Sequence, residues 1–283
     1  MGNNHTSLRK NQRAVSPAIS TIILTATTVV MLLVVMSYGN NFLNSGMAEN
    51  EFNGNKQFMQ TTGLQIDDIA WTTGRTQTVS YSAKYGSLNF TQSVLEYTIQ
   101  VHTNAGWQNL VAPLQTGIIQ FKMPASSYSL GNNYFTRVPQ NANSSFLQTG
   151  SSAPVSQVFC EEKIPMSDGT CSRIVVVPTI RELNSSITGT QQTTGYYKFY
   201  LPLLSNGTNL YRSQSVTLTG SGITKLSCSD VDQVRVTVDF PKQSAGFDSS
   251  FFKFDQITQT MNLPANSVVE FYVSDVVVAI GQV

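Results

Sequence analysis

Residues of the types that catalyse reactions or bind metals are sparse in this sequence. It has two histidines, His5 and His102, and three cysteines with no Cys-x-x-Cys pair. Structural zinc sites need several Cys or His ligands at short spacings, so the sequence excludes them. Phosphate-loop, dinucleotide-binding and Gly-x-Ser-x-Gly sequences are absent too. We therefore expect no enzyme activity, no metal and no cofactor, and we interpret His102 as a surface or hydrogen-bonded residue.

Acidic residues stand close together at three places, Asp67-Asp68, Glu161-Glu162 and Asp230-x-Asp232. Adjacent side chains of a strand point to opposite faces, so neither of the first two pairs is expected to act jointly on one bond. The third pair shares a face if the chain is extended there. For that pair two alternatives stay open, a weak calcium site and a solvated turn.

The cysteines allow two arrangements. Cys160 and Cys171 bracket a short loop that contains Pro165 and the turn sequence Asp168-Gly169. A disulfide between these cysteines would stabilise an exported protein by about 2–3 kcal/mol and would leave Cys228 unpaired. The alternative is three unpaired thiols, two of them buried as small apolar side chains.

The composition is poor in charge. Charged residues make up 12% of the 283 residues and hydrophobic residues 41%, so Ser, Thr, Asn and Gln must supply most of the polar surface. This composition is typical of a β-rich exported protein, since charged residues are about a quarter of an ordinary soluble domain. The net charge is +1, and beyond residue 14 it is −2. Nucleic acid is therefore not expected as a partner, because its binding needs a basic face.

A segment without charged side chains extends from Ala14 to Ala48, and residues 15–36 are almost wholly apolar or Thr. In a helix, 22 residues span about 33 Å, which matches a bilayer core of about 30 Å. The basic residues Arg9, Lys10 and Arg13 stand only before this segment. The positive-inside rule then keeps residues 1–14 in the cytoplasm and places everything after Tyr38 outside.

Three interpretations of this segment compete. A secretory signal peptide would have a shorter apolar run, of roughly 7–15 residues, although Gly46-Met47-Ala48 would suit its cleavage. A plain membrane anchor accounts for the hydrophobicity. It does not explain why the basic leader stops at a small residue, Ala14, with Pro17 third after it. The third interpretation is a helix that is retained after a short leader is removed.

The stretch from Arg13 to Leu24 resembles the N-terminus of archaeal type IV pilins: a basic leader, a small residue, the pair Ser16-Pro17 and an uninterrupted hydrophobic helix. The resemblance covers about residues 9–40. It implies that a prepilin peptidase recognises Arg13 and Ala14 and cuts before Val15, so residues 1–14 are a cytoplasmic leader and 15–37 a transmembrane and filament-core helix. Two departures are Ala14, where Gly is commoner, and Ile19, where bacterial pilins have Glu.

The remainder divides into a stalk and a head. Residues 38–63 predict a helical stalk, bent or partly melted because each of its glycines, Gly39, Gly46 and Gly54, costs roughly 1 kcal/mol. From Leu64 onward, apolar and polar residues alternate as in half-buried strands. Strands are expected near 64–71, 76–83, 95–101, 117–123, 173–180, 195–202, 214–219, 234–238 and 267–280. The fold class is therefore α+β, a long hydrophobic helix followed by a mostly antiparallel β-sandwich-like head at 64–283, in one or two subdomains.

The resemblance implies a structural subunit of a surface filament. The chain would lie in the cell membrane and then polymerise with its own copies outside the cell, with prepilin peptidase and the pilus assembly machinery as partners. Its head would mediate adhesion, and the alternative is a non-polymerising, membrane-anchored extracellular protein that binds carbohydrate or surfaces. Export also makes four Asn-x-Ser/Thr sequences candidate glycosylation sites: Asn89, Asn143, Asn184 and Asn206.

Overall fold

The computed structural model describes residues 12–188, 193–208 and 213–281. The chain forms two compact units, Met1–Met47 and Ala48–Val283; we call the second the β-rich unit. Two α-helices are present in the described residues, α1 (Gln12–Ala70) and α2 (Ser249–Phe252). The strands are β1 (Thr76–Ser80), β2 (Ser87–Thr103), β3 (Gly106–Asn109), β4 (Leu114–Pro124), β5 (Tyr134–Val138), β6 (Leu147–Thr149), β7 (Ser156–Glu162), β8 (Cys171–Pro178), β9 (Ile180–Thr188), β10 (Thr193–Asn206), β11 (Ser215–Asp239) and β12 (Thr258–Gly281).

The α1 helix is continuous through all three glycines of the expected stalk, so the predicted melting is wrong. A Cβ added at any of these glycines would meet no atom within 4 Å. The β-rich unit begins at Ala48, inside the segment expected to be the stalk. The strand expected at 64–71 is also wrong, because α1 extends to Ala70.

The part of α1 inside the β-rich unit packs on the sheet through a stripe of buried residues. They follow one another at alternating spacings of four and three, which keeps them on one face of a helix: Ala48, Phe52, Asn55, Met59, Thr62, Ile66 and Ile69. The two polar members are both hydrogen-bonded. Asn55 Nδ2 donates to the carbonyl oxygen of Ser82 at 2.8 Å, and the Thr62 hydroxyl donates to that of Phe58 at 2.9 Å.

The twelve strands form one sheet, in the order β5-β7-β8-β4-β2-β11-β12-β10-β9-β6, with β1 also paired to β11 and β3 to β2. Pairing is antiparallel except between β10 and β12 and between β6 and β9. The α+β class is thus confirmed, whereas the described residues do not form the two separate sheets of a sandwich. The long strands β2 and β11 continue through irregularities, as between Thr91 and Leu95, and this keeps the hydrogen bonding within one sheet.

The sheet is buried on both faces near its β4, β7 and β8 strands. Ile174 and Val176 of β8 join the cluster that includes α1, whereas Val175 and Val177 join a second cluster on the other face. All residues of β7 are buried. The second cluster also contains Phe251 of α2 and Val236 of β11. Strands covered on both sides carry unbroken apolar runs rather than alternation, which explains the sequence IVVV in β8.

Candidate functional site: the apolar helix and the surface of the β-rich unit

The first described part of α1 exposes apolar side chains on every face. We call Ile19–Met36 the apolar segment. Its large side chains are all about half exposed or more, from 49% at Ile19 to 70% at Met31. An 18-residue window of α1 has a mean hydropathy of 2.4 and none of it is buried. By length and composition α1 can cross a membrane, and a helix that is apolar all round must be covered by lipid or by other helices.

Threonine hydroxyls of the apolar segment are bonded inside the helix itself. Thr25 Oγ1 donates to the carbonyl oxygen of Thr21 at 2.7 Å, and Thr28 Oγ1 donates to that of Leu24 at 2.7 Å. Thr27 Oγ1 donates to the carbonyl oxygen of Ile23. Such bonds from Ser and Thr to the preceding turn are a common way to satisfy a hydroxyl where water is excluded.

The expected cleavage residues lie at the start of α1. The first turn of α1 contains Arg13, Ala14 and Val15, and the helix continues through Pro17. The leader before Gln12, with His5, lies outside the described residues.

The four candidate glycosylation residues differ in accessibility. Asn143, Asn184 and Asn206 are exposed, whereas Asn89 is partly buried in β2. Asn143 Oδ1 accepts from the backbone N–H of Ser145 at 2.9 Å, an Asx turn within its own sequence motif. In the motif of Asn89, the Thr91 hydroxyl accepts from Gln120 Nε2 at 2.7 Å. The first three side chains are therefore more accessible than that of Asn89.

Of the two cysteine arrangements that the sequence left open, the structure has the unpaired one: no disulfide joins Cys160 to Cys171, and Cys160, Cys171 and Cys228 are free thiols. Cys160 pairs in register with Ile174, three residues along β8 from Cys171. Three residues of strand are about 10 Å, beyond the roughly 7 Å that a disulfide can join between Cα atoms. Only Cys160 is buried, and burial raises its pKa to about 11 although Lys56 opposes the shift.

Glu161 and Glu162 are adjacent residues of β7 and therefore point to opposite faces of the sheet. Glu161 Oε1 accepts from the buried Arg173 Nη1 at 3.0 Å, and burial still raises the pKa of Glu161 to about 7. Glu162 is buried too, but hydrogen bonds from the Ser172 and Ser129 hydroxyls and from the Leu130 N–H outweigh the desolvation and lower its pKa. The two carboxylates therefore bind different groups of the protein and do not act on a common site.

The other acidic pairs are also divided between partners. Asp67 and Asp68 lie on α1 rather than on a strand; Asp67 pairs with Arg181 at 2.7 Å and Asp68 with Arg75 at 2.5 Å. The Asp232 carboxylate lies 2.6 Å from His102 Nδ1, which makes His102 the hydrogen-bonded residue expected. The backbone of Asp230 is in the left-handed region, with φ 59°. Within the described residues, no group of three or more His, Cys, Asp or Glu residues is placed to hold a metal.

A polar cluster on the outer face of β3, β2 and β11 was not found from the sequence. Trp107 packs edge-to-face on His102, with ring centroids 5.2 Å apart, and the Arg235 guanidinium lies 3.9 Å from the indole centroid. The alternation of Val234, Val236 and Val238 places Arg235 on the face away from the core. The sequence thus showed that the Arg235 side chain faces away from the core. Its contact with Trp107 could not be predicted, because it depends on pairing between distant strands.

Comparison of the chain with protein-family models, with curated protein sequences and with solved structures finds no match.

Proposed function

We propose that the chain is a structural subunit of an archaeal type IV pilus-like surface filament. It polymerises through the apolar segment, and its β-rich unit mediates adhesion. The observation that carries the proposal is the apolar segment of α1, which is uncharged, long enough to span a membrane and exposed in the single chain.

The exposed apolar surface needs two successive environments in this proposal. Before assembly the helix is held in lipid, with the leader in the cytoplasm. After cleavage before Val15 it leaves the membrane and packs among copies of itself, where its side chains remain dry. Contacts between identical copies that do not close into a ring generate an open helical filament.

The chemistry of the helix surface also supports assembly. Because the hydroxyls of Thr25, Thr27 and Thr28 are bonded to their own helix, they bring no unsatisfied polar group to a helix–helix contact. Small residues such as Ala26 allow helix backbones to approach closely. The low charge of the chain, 12% of residues, limits repulsion between neighbouring copies.

The mass of the N-terminal peptide tests retention of the helix. Cleavage by prepilin peptidase leaves Val15 as the first residue. A first residue of Glu49 would instead identify a secretory signal peptide, and Met1 a plain anchor; either result would end the proposal.

Shearing of cells followed by electron microscopy tests polymerisation. Filaments containing this chain are expected in the sheared fraction, and single copies that stay with the membrane would indicate the tethered binding protein instead. Thr25→Lys is expected to abolish filaments because it places a charge among packed helices. Thr25→Val, which keeps the shape and removes only the internally bonded hydroxyl, is the matched control and is expected to assemble.

A further inference from the structure

We propose that the outer face of β3, β2 and β11 binds carboxylate-bearing sugar units of an acidic polysaccharide. Arg235 would hold the carboxylate, and Trp107, Gln100 and Asn109 would contact the sugar ring. This proposal names a ligand for the adhesion proposed above and rests on it, but not on filament assembly.

The cluster is an organised surface rather than a scatter of side chains. In the sheet register, Trp107 lies opposite His102, and Asn109 and Arg235 lie on either side of Gln100. Gln100 Nε2 donates to Asn109 Oδ1 at 3.0 Å, and Asp232 fixes the His102 ring. The His102 ring in turn packs edge-to-face on Trp107. The side chains are therefore held in place before any ligand arrives, which reduces the entropy lost on binding.

Arg235 supplies the cationic group that would hold the carboxylate. Its guanidinium stacks on the Trp107 indole at 3.9 Å, and none of the described residues accepts a hydrogen bond from it or forms an ion pair with it. A guanidinium that stacks on an aromatic ring by its face keeps the N–H groups of its edge available. Two parallel N–H groups match the two oxygens of a carboxylate, a stronger contact than a bond between neutral groups.

The groups around Arg235 match the rest of a sugar. Trp107 and Gln100 are partly exposed, and Asn109 is exposed. Amide side chains both donate to and accept from hydroxyl groups, and the part of the indole that Arg235 and His102 leave uncovered is an apolar surface for C–H groups. The Asp232 carboxylate is engaged by His102. One cation among neutral amides suits a sugar that carries one carboxylate and several hydroxyls.

Titration of the full chain in detergent micelles with polygalacturonate tests the proposal, with dextran as the neutral polymer and dextran sulfate as the sulfated one. We expect polygalacturonate to bind and dextran not to bind. Arg235→Gln should weaken polygalacturonate binding at least tenfold. Arg235→Lys should weaken it several-fold, because Lys keeps the charge but loses the planar pair of donors. Trp107→Phe should weaken it less than Arg235→Gln.

Lys84→Gln is the matched control, since Lys84 is a cation over an aromatic ring, that of Tyr85, at another surface position. It should bind as the unaltered chain does, and all variants should keep the same thermal midpoint. Equal losses for Lys84→Gln and Arg235→Gln, or no binding of polygalacturonate above dextran, would overturn the site. Dextran sulfate that binds as tightly and depends equally on Arg235 would overturn the carboxylate assignment. Because detergent covers the apolar segment, these results do not depend on filament formation, which electron microscopy reports separately.

Discussion

Arg173 and Glu161 form an ion pair across β8 and β7, with 3.0 Å between Nη1 and Oε1, and their side chains are 0% and 3% exposed. Arg173 Nη2 also donates to Asp168 Oδ1 at 2.6 Å and to the carbonyl oxygen of Gly169 at 2.9 Å. One buried cation thus ties the loop between the two strands to the core.

The pH dependence of stability is expected to report on Glu161. Its pKa rises from 4.5 to about 7 on folding, mainly because of burial. Between these values the unfolded chain has released this proton and the folded chain still binds it, so the contribution of Glu161 to stability falls as the pH rises. It is complete below about pH 4.5 and lost by about pH 7, and amounts to roughly 3 kcal/mol at most. Glu161→Gln should therefore flatten the change of the thermal midpoint between pH 5 and pH 7.5, and an unchanged slope would contradict this assignment.

Glu51 is expected to be the main attachment of the loop before β2 to α1. Its carboxylate accepts from the backbone N–H groups of Lys84, Tyr85 and Gly86 at 2.9–3.0 Å. Glu51→Ala leaves these donors to water, and we expect a loss of about 1–3 kcal/mol in the free energy of unfolding. Hydrogen exchange at residues 84–86 should be faster in this variant. Glu49→Ala, an exposed position two residues earlier on α1, is the control and should leave both measurements unchanged.

Gly220 is required where β11 passes the end of α1. A Cβ at this position would lie 2.6 Å from the carbonyl oxygen of Ile69, whereas a Cβ at Gly222 would meet only Asp275 Oδ2 at 3.8 Å. Gly220→Ala should destabilise the chain by about 1–3 kcal/mol because backbone must move. Gly222→Ala should change the free energy of unfolding little. Similar denaturant midpoints for both variants would show that α1 does not lie against this strand.

The cysteines should behave as three thiols of unequal reactivity. Without reductant, intact-mass analysis after alkylation is expected to show three modified cysteines in unfolded protein. In folded protein, Cys160 should react slowest, because it is buried and its pKa is raised to about 11. Detection of a peptide linked through Cys160 and Cys171 would refute the strand register between β7 and β8.

The sequence predicted the α+β class and most strands with a two-residue period, such as those around Tyr97 and Val236. It missed β7, where Glu161 and Glu162 have the composition of a solvent-exposed loop. Their burial depends on Arg173 and Ser172 of the next strand, and no local pattern reveals such partners.

The end of α1 was misassigned for a related reason. Leu64 and Ile66 alternate with polar residues as in a strand, but Ile66 is buried and Leu64 is 68% exposed on a helix. Asn55 and Thr62 occupy buried positions of the helical stripe, so the apolar residues alone do not show a helical period in the sequence. Their hydrogen bonds, to Ser82 and within α1, explain why polar residues are tolerated there. The cluster of Trp107 and Arg235 likewise depends on strands far apart in the chain.

The position of β12 in the middle of the sheet sets the order of events as the chain folds. β12 pairs with both β10 and β11, yet it follows both in the chain. As residues emerge in sequence order, β10 and β11 each present an open edge until residues 258–281 arrive. Open edges recruit strands from other molecules. The yield of folded protein therefore depends on how quickly residues 258–281 follow and on any factor that shields these two edges meanwhile.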